Sequence, residues 1–78
     1  MNTNYRNKLI TLSDGYQYVV LSEAEYKGKR YALVNDIVND NLGPNMTIFR
    51  LEEFNDELNF VVEQNLDIVE TILSKMAA

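Results

Sequence analysis

Neither cysteine nor histidine occurs in this 78-residue chain. Without cysteine no disulfide can form, and without either residue there is no Cys/His set to hold a structural zinc. The usual general base and the strongest nucleophile are therefore missing from any catalytic scheme. Long apolar runs are lacking too, and no window approaches the roughly 20 residues that a membrane-spanning helix needs. The polar start, Met1-Asn2-Thr3-Asn4-Tyr5-Arg6, gives way to apolar residues only from Leu9 to Leu12. That stretch is too brief for a signal-peptide core, and no small-residue cleavage site follows it. Asn45-Met46-Thr47 matches the glycosylation sequon, but without a secretion signal the match reads as chance. These absences imply a soluble cytoplasmic protein with no cofactor and no membrane partner.

What remains is one small domain, residues 1–78, with residues 1–7 expected to be flexible. A chain this short buries a modest fraction of its surface, so its apolar core, helped by self-association, must supply the stability. An apolar content of 46% is ordinary for a globular protein and too high for a disordered one. The net charge of −5 is uneven: residues 1–30 carry five basic and three acidic side chains, residues 31–78 two basic and nine acidic. An acidic surface repels nucleic acid and anionic lipid at long range, which disfavours both as ligands.

The first half reads as strands separated by tight turns. Lys8 to Leu12 is β-compatible and ends at Ser13-Asp14-Gly15, and Asp-Gly is a hairpin signal because both residues tolerate positive φ. Tyr16 to Leu21 follows, with Tyr16, Tyr18 and Val20 on one face and Gln17, Val19 and Leu21 on the other. Both faces are apolar enough for a strand covered on two sides. A second hairpin is centred on Lys27-Gly28 and returns as Lys29 to Val34. Asn35 to Asn45 then breaks the pattern with Asn35, Asp36, Asn39, Asp40, Asn41, Gly43 and Pro44, leaving Ile37, Val38 and Leu42 to pin a loop to the core. Met46 to Leu51 resumes as a strand, residues 52–57 form an acidic connection, and Leu58 to Val62 is the last strand.

From Asn65 the period changes. Leu66, Val69, Leu73 and Met76 recur at helical spacing with Ile72 beside them. Asn65 is the N-cap, Asp67 and Glu70 lie toward the positive end of the helix dipole, and Lys75 lies toward the negative end. The fold class that results is α+β: an antiparallel β-meander of about five short strands with one C-terminal helix packed on the sheet.

An Ile10-Thr11-Leu12 strand, an Asp14-Gly15 turn, a Tyr18-Val19-Val20-Leu21 strand and the run Tyr26-Lys27-Gly28-Lys29-Arg30-Tyr31-Ala32-Leu33-Val34 follow one another in that order. Ile48-Phe49-Arg50-Leu51 beside acidic residues and an acidic terminal helix continue it. From about Lys8 to Lys75 the chain resembles the short bacterial proteins grouped as domain of unknown function 1292. That resemblance implies a small cytoplasmic β-rich domain with a terminal helix, and it implies no activity. A phage or mobile-element relative fits the same residues.

Each candidate site has a plainer reading. Ser13, Ser22 and Ser74 lie in no nucleophile elbow or Ser-x-x-Lys arrangement. The carboxylate pairs Glu23/Glu25 and Glu52/Glu53 flank turns, where solvent leaves no reason for their pKa values to separate. Asp36, Asn39, Asp40 and Asn41 offer hard oxygen ligands but miss the EF-hand spacing, so a solvated loop is the simpler account. Lys27, Lys29 and Arg30 between Tyr26 and Tyr31 are a pattern that can grip phosphates and stack bases, and equally a guard against edge-to-edge aggregation. Tyrosine-rich strands stabilise sheets and also suit interfaces.

By elimination the sequence favours a non-catalytic module that acts by binding another protein, with a homodimer compatible. Its candidate interaction residues are Glu52, Glu53, Asp56 and Glu57 for orientation and Tyr26 and Tyr31 as anchors. The alternative is a phage-encoded inhibitor of a host nuclease or defence protein, such as an anti-CRISPR. There the carboxylates of Asp36, Asp40, Glu52, Glu53, Asp56, Glu57 and Glu63 would imitate a phosphate track, which requires them to share one face.

Overall fold

A computed structural model describes residues 7–77, the side chain of residue 77 excepted. Five strands form one sheet in sequence order: β1 (Leu9–Thr11), β2 (Gln17–Tyr26), β3 (Lys29–Val38), β4 (Asn41–Phe54) and β5 (Glu57–Val62). Every neighbouring pair is antiparallel, and one helix, α1 (Leu66–Ala77), ends the chain. The expected flexible start lies outside the described residues, apart from Asn7, whose N–H donates to the Val20 carbonyl at 2.7 Å. Among the described residues, no helix is long and apolar enough to cross a membrane.

Three of the four connections are two-residue turns with both residues in the left-handed region: Lys27-Gly28 (φ 52 and 78), Asn39-Asp40 (φ 52 and 64) and Asn55-Asp56 (φ 52 and 65). This is the turn whose twist matches that of the flanking strands. Gly meets the requirement without cost, and Asn and Asp are the residues that tolerate it best otherwise. The first connection is longer. Leu12 and Gly15 bond across it, and the Tyr16 N–H donates to Asp14 Oδ1 at 3.0 Å.

Residues 35–45, expected as a loop, instead carry β3 to Val38, turn at Asn39-Asp40 and begin β4 at Asn41. The ladder survives Gly43 and Pro44 because they sit in a bulge. Asn35 pairs with Met46 and Ile37 with Leu42, so Asp36 alone faces Gly43, Pro44 and Asn45. Its carboxylate accepts from the Asn45 N–H (3.0 Å) and Asn45 Nδ2 (3.2 Å), and Asn35 Nδ2 donates to the Gly43 carbonyl (2.9 Å). The backbone groups released by the bulge are thus satisfied by side chains. Val38 and Leu42, expected to pin this segment to the core, are instead exposed, at 49% and 66%.

The sheet curls into a half-barrel. Its inner face holds Val20, Ala32, Val34, Phe49 and Leu51, flanked by Ile10 and Leu12 from one end of the sheet and Leu58 and Phe60 from the other. Phe49 is central, with its ring edge-on to Tyr18 at 5.2 Å and to Phe60 at 6.2 Å, the T-shaped geometry that aromatic quadrupoles prefer. A second cluster on the opposite face holds Tyr31, Ile48 and Ile72, joined by Ala24, Tyr26, Leu33, Ile68, Val69 and Met76.

One extra residue lets β2 serve both clusters. Val20 pairs with Val34 but Ser22 pairs with Leu33, so Leu21 is a bulge. Before it Tyr18 and Val20 point to the inner cluster, and after it Ala24 and Tyr26 point to the outer one. Tyr16, expected to share a face with Tyr18 and Val20, lies before the strand and is exposed.

In α1 the Asn65 side chain accepts from the Asp67 N–H (3.0 Å) and the Ile68 N–H (3.4 Å), which makes it the N-cap read from the sequence. Of the expected stripe, Val69, Met76 and the adjoining Ile72 join the second cluster, while Leu66 and Leu73 give way to Ile68. Ile72 is fully buried with Ile68, Val69 and Met76 beside it, whereas Leu66 is 74% exposed and Leu73 42%.

Candidate functional site

The four acidic candidates occupy the β4–β5 hairpin. Glu52 and Glu53 end β4, Asp56 is the second turn residue and Glu57 opens β5, all of them exposed. Strand alternation divides them. Glu53 pairs with Leu58, which packs on the inner cluster, whereas Glu52 lies on the face of Arg50 and bonds to it (Oε2 to Nε, 2.6 Å). Phe54 sits among them as the cross-strand partner of Glu57 and is 71% exposed.

The other acidic residues lie elsewhere. Asp36 is engaged by Asn45, and Asp40 turns at the opposite end of the sheet. Glu63 bonds Arg50 Nη1 at 2.7 Å, with its side chain only 6% exposed. Burial pushes the Glu63 carboxyl up, but the Asn65 N–H, the Arg50 guanidinium and the Gln64 N–H outweigh it and hold it below the usual carboxylate range. Arg50 is correspondingly raised, chiefly by its bonds to Glu52 and Glu63. The seven carboxylates therefore do not line one face.

The tyrosine candidates meet at a different place. Tyr26 ends β2, Tyr31 lies near the start of β3, and both line a groove of about 340 Å³ between this hairpin and α1. Lys27 and Lys29 line the same groove, with Asn65, Asp67, Ile68 and Thr71 across from them. Tyr31 is almost fully buried, so it forms part of the floor and is not the exposed anchor the sequence suggested. Burial first, and the Glu63 carboxylate second, push its hydroxyl above the ordinary range, so it stays protonated at neutral pH. Tyr26 is half-buried. The Lys27 ammonium stands 5.3 Å and the Lys75 ammonium 5.9 Å from its ring centroid, within cation–π range.

The basic trio of the sequence is split. Arg30 turns to the inner face and bonds Glu23 at 2.6 Å, while Lys27 and Lys29 stay at the groove. Lys75, from α1, adds a third cation near the Tyr26 ring without lining the groove itself. Among the described residues Lys27, Lys29 and Lys75 hold no ion pair. In a chain of net charge −5 they form a local basic patch around an aromatic ring. The contribution of the helix to this groove has no signature in the sequence, because nothing in the pattern says to which hairpin the helix returns.

A second cavity of about 290 Å³ is lined by residues 11–14 and 58–60, where the two ends of the curled sheet face each other. On the outer face the register aligns Leu9, Val19, Asn35 and Met46 in one row and Ile37 with Leu42 in the next. Leu9, Leu42 and Met46 are more than half exposed. Among the described residues no three acidic groups are placed to hold a metal ion. The resemblance to domain of unknown function 1292 rests on the quoted residues alone, for no protein-family model matches the chain and no curated protein or solved structure is significantly similar to it.

Proposed function

We propose that this chain is a non-catalytic interaction module that acts by binding another protein, and that the groove between the β2–β3 hairpin and α1 is where the partner docks. In this reading α1, seated on the sheet, is a fixed wall of the site. The observation that carries the reading is the concentration, around a half-buried Tyr26 in an otherwise acidic chain, of ammonium groups that hold no ion pair among the described residues. Such a site favours a partner segment that brings carboxylates and an aromatic or apolar side chain. The carboxylates set orientation and association rate, and the apolar group supplies the desolvated contact.

The test is photo-crosslinking from the groove. A photoreactive phenylalanine analogue in place of Tyr26 is expected to give one defined adduct in native-host lysate. That adduct should weaken in high salt and disappear with Lys27→Glu and Lys29→Glu. Labelling at Tyr26 no different from labelling at the exposed Asn41, at the opposite end of the sheet, would overturn the reading.

A further inference from the structure

We infer that the segment received by this groove is the β4–β5 hairpin of a second copy of the chain, so that two copies pair reciprocally, hairpin into groove. This assignment rests on the groove being a docking site and names its occupant.

Three observations point to it. The first is chemical complementarity. The hairpin presents an exposed Phe54 with Glu57 as its cross-strand partner and Glu52 on the same face, and the groove presents Lys27 and Lys29 beside the Tyr26 ring, with Ile68 and Asp67 on the helix side. The second is size, since a cavity of about 150 Å³ suffices to hold a benzene ring and this groove offers about 340 Å³. An exposed aromatic side chain at a hairpin tip is the kind of anchor that dominates small interfaces.

The third observation is symmetry. In a meander alternate turns leave the same end of the sheet, and the pairing of Arg30 with Leu51 sets the Lys27-Gly28 and Asn55-Asp56 turns side by side there. One end of the molecule thus carries a basic lobe next to an acidic one. A twofold axis between them lays each lobe on its opposite in the other copy, which is the self-complementary arrangement of an isologous dimer. Two such contacts form at once, so each strengthens the other, and both depend on charges that salt screens.

Sedimentation equilibrium on the whole chain, from about 10 µM to about 1 mM as suits a small interface, tests this directly. The chain is expected to dimerise at low ionic strength and to dissociate in 0.5 M salt, where the Debye length falls to about 4 Å. Phe54→Ala should weaken the dimer about thirtyfold or more, the effect of removing a hot spot. Lys27→Glu with Lys29→Glu should abolish it, as should Glu52→Lys with Glu57→Lys in a separate variant. A 1:1 mixture of these two charge-reversed variants should dimerise although neither does alone, because the mixture restores opposite charges at both contacts. That rescue also shows that both variants are folded. A chain that stays monomeric at about 1 mM, or a dimer indifferent to these changes, overturns the inference. Should the photoreactive Tyr26 variant still capture a foreign protein and never a second copy, the groove stands as a docking site and only its assigned occupant falls.

Discussion

Gly43→Ala is a small change that should cost more than its size suggests. Gly43 does not adopt the left-handed backbone that Gly15 and Gly28 do, so alanine is conformationally permitted there. By the unfolded-state effect alone the substitution should stabilise the chain by about 0.4 to 1 kcal/mol. A β-carbon at this position, however, would fall 2.5 to 2.8 Å from the atoms of the Asp36 carboxylate. The carboxylate must swing away, because no carbon approaches so closely. It then loses the Asn45 N–H and Asn45 Nδ2, and the weaker bond from Asn35 Nδ2 at 3.4 Å. At about 0.5 to 1.5 kcal/mol for each partly solvated bond, the loss is about 1.5 to 4.5 kcal/mol. The net expectation is a destabilisation of about 0.5 to 4 kcal/mol, read as a lower urea midpoint with an unchanged slope.

The same account makes a sharper demand. With Asp36→Ala already present there is no carboxylate to displace, so Gly43→Ala should be neutral or mildly stabilising. The coupling between the two sites should then exceed about 1 kcal/mol, well above the roughly 0.3 to 0.5 kcal/mol scatter of independent sites. Additive behaviour in this cycle, or a neutral Gly43→Ala on its own, would refute the idea that Asp36 holds the bulge.

Two further expectations concern the outer face. A carboxyl whose folded pKa is depressed contributes stability that is present above its unfolded value of about 4.3 and is lost as the pH falls through the folded pKa. Glu63 is such a group. Glu63→Gln should therefore cost about 1 to 3 kcal/mol at pH 7 and little near pH 2, and a constant gap in urea midpoints across that range would contradict it. Ile72→Ala should cost about 2 to 5 kcal/mol as a cavity in the second cluster, whereas Leu66→Ala should stay within about 0.5 kcal/mol as a surface change. Thermal denaturation that ranked the two the other way round would mean the helix presents the Leu66 stripe.

How far the sequence discloses this fold depends on which residues carry each feature. The Lys27-Gly28 turn is legible because Gly stands at a position of positive φ between apolar runs. The Asn39-Asp40 and Asn55-Asp56 turns have the same backbone without glycine, so their flanks read as loop and acidic connection rather than strand. Gly43 and Pro44 looked like strand breakers. They are accommodated because Asp36, on a neighbouring strand, satisfies the bulge, and that is a tertiary fact. The helix was readable from its period and its Asn65 cap, but not its orientation. Leu66 and Leu73 are as apolar as Ile68 and Ile72, and the choice between the two stripes is made by the surface beneath. For the same reason Tyr26 and its lysines could be singled out in advance, while Asn65, Asp67, Ile68 and Thr71 across the groove could not.

The bulge at Leu21 has a consequence for how this chain can change over generations. Upstream of it, inward positions of β2 are judged by the inner cluster, and downstream by the outer one, so neighbouring substitutions answer to different selective pressures. Loss of that single codon would be more than a shortening by one residue. It would bring the two halves of the strand into one phase and turn Ala24 and Tyr26 toward the interior now occupied by Phe49, while Glu23 turned out, away from its present place beside Arg30. Insertions and deletions between Leu21 and Tyr26 should therefore be much rarer among viable variants than substitutions there, because the reading phase of this strand, more than the identity of any one side chain, keeps the two faces of the sheet distinct.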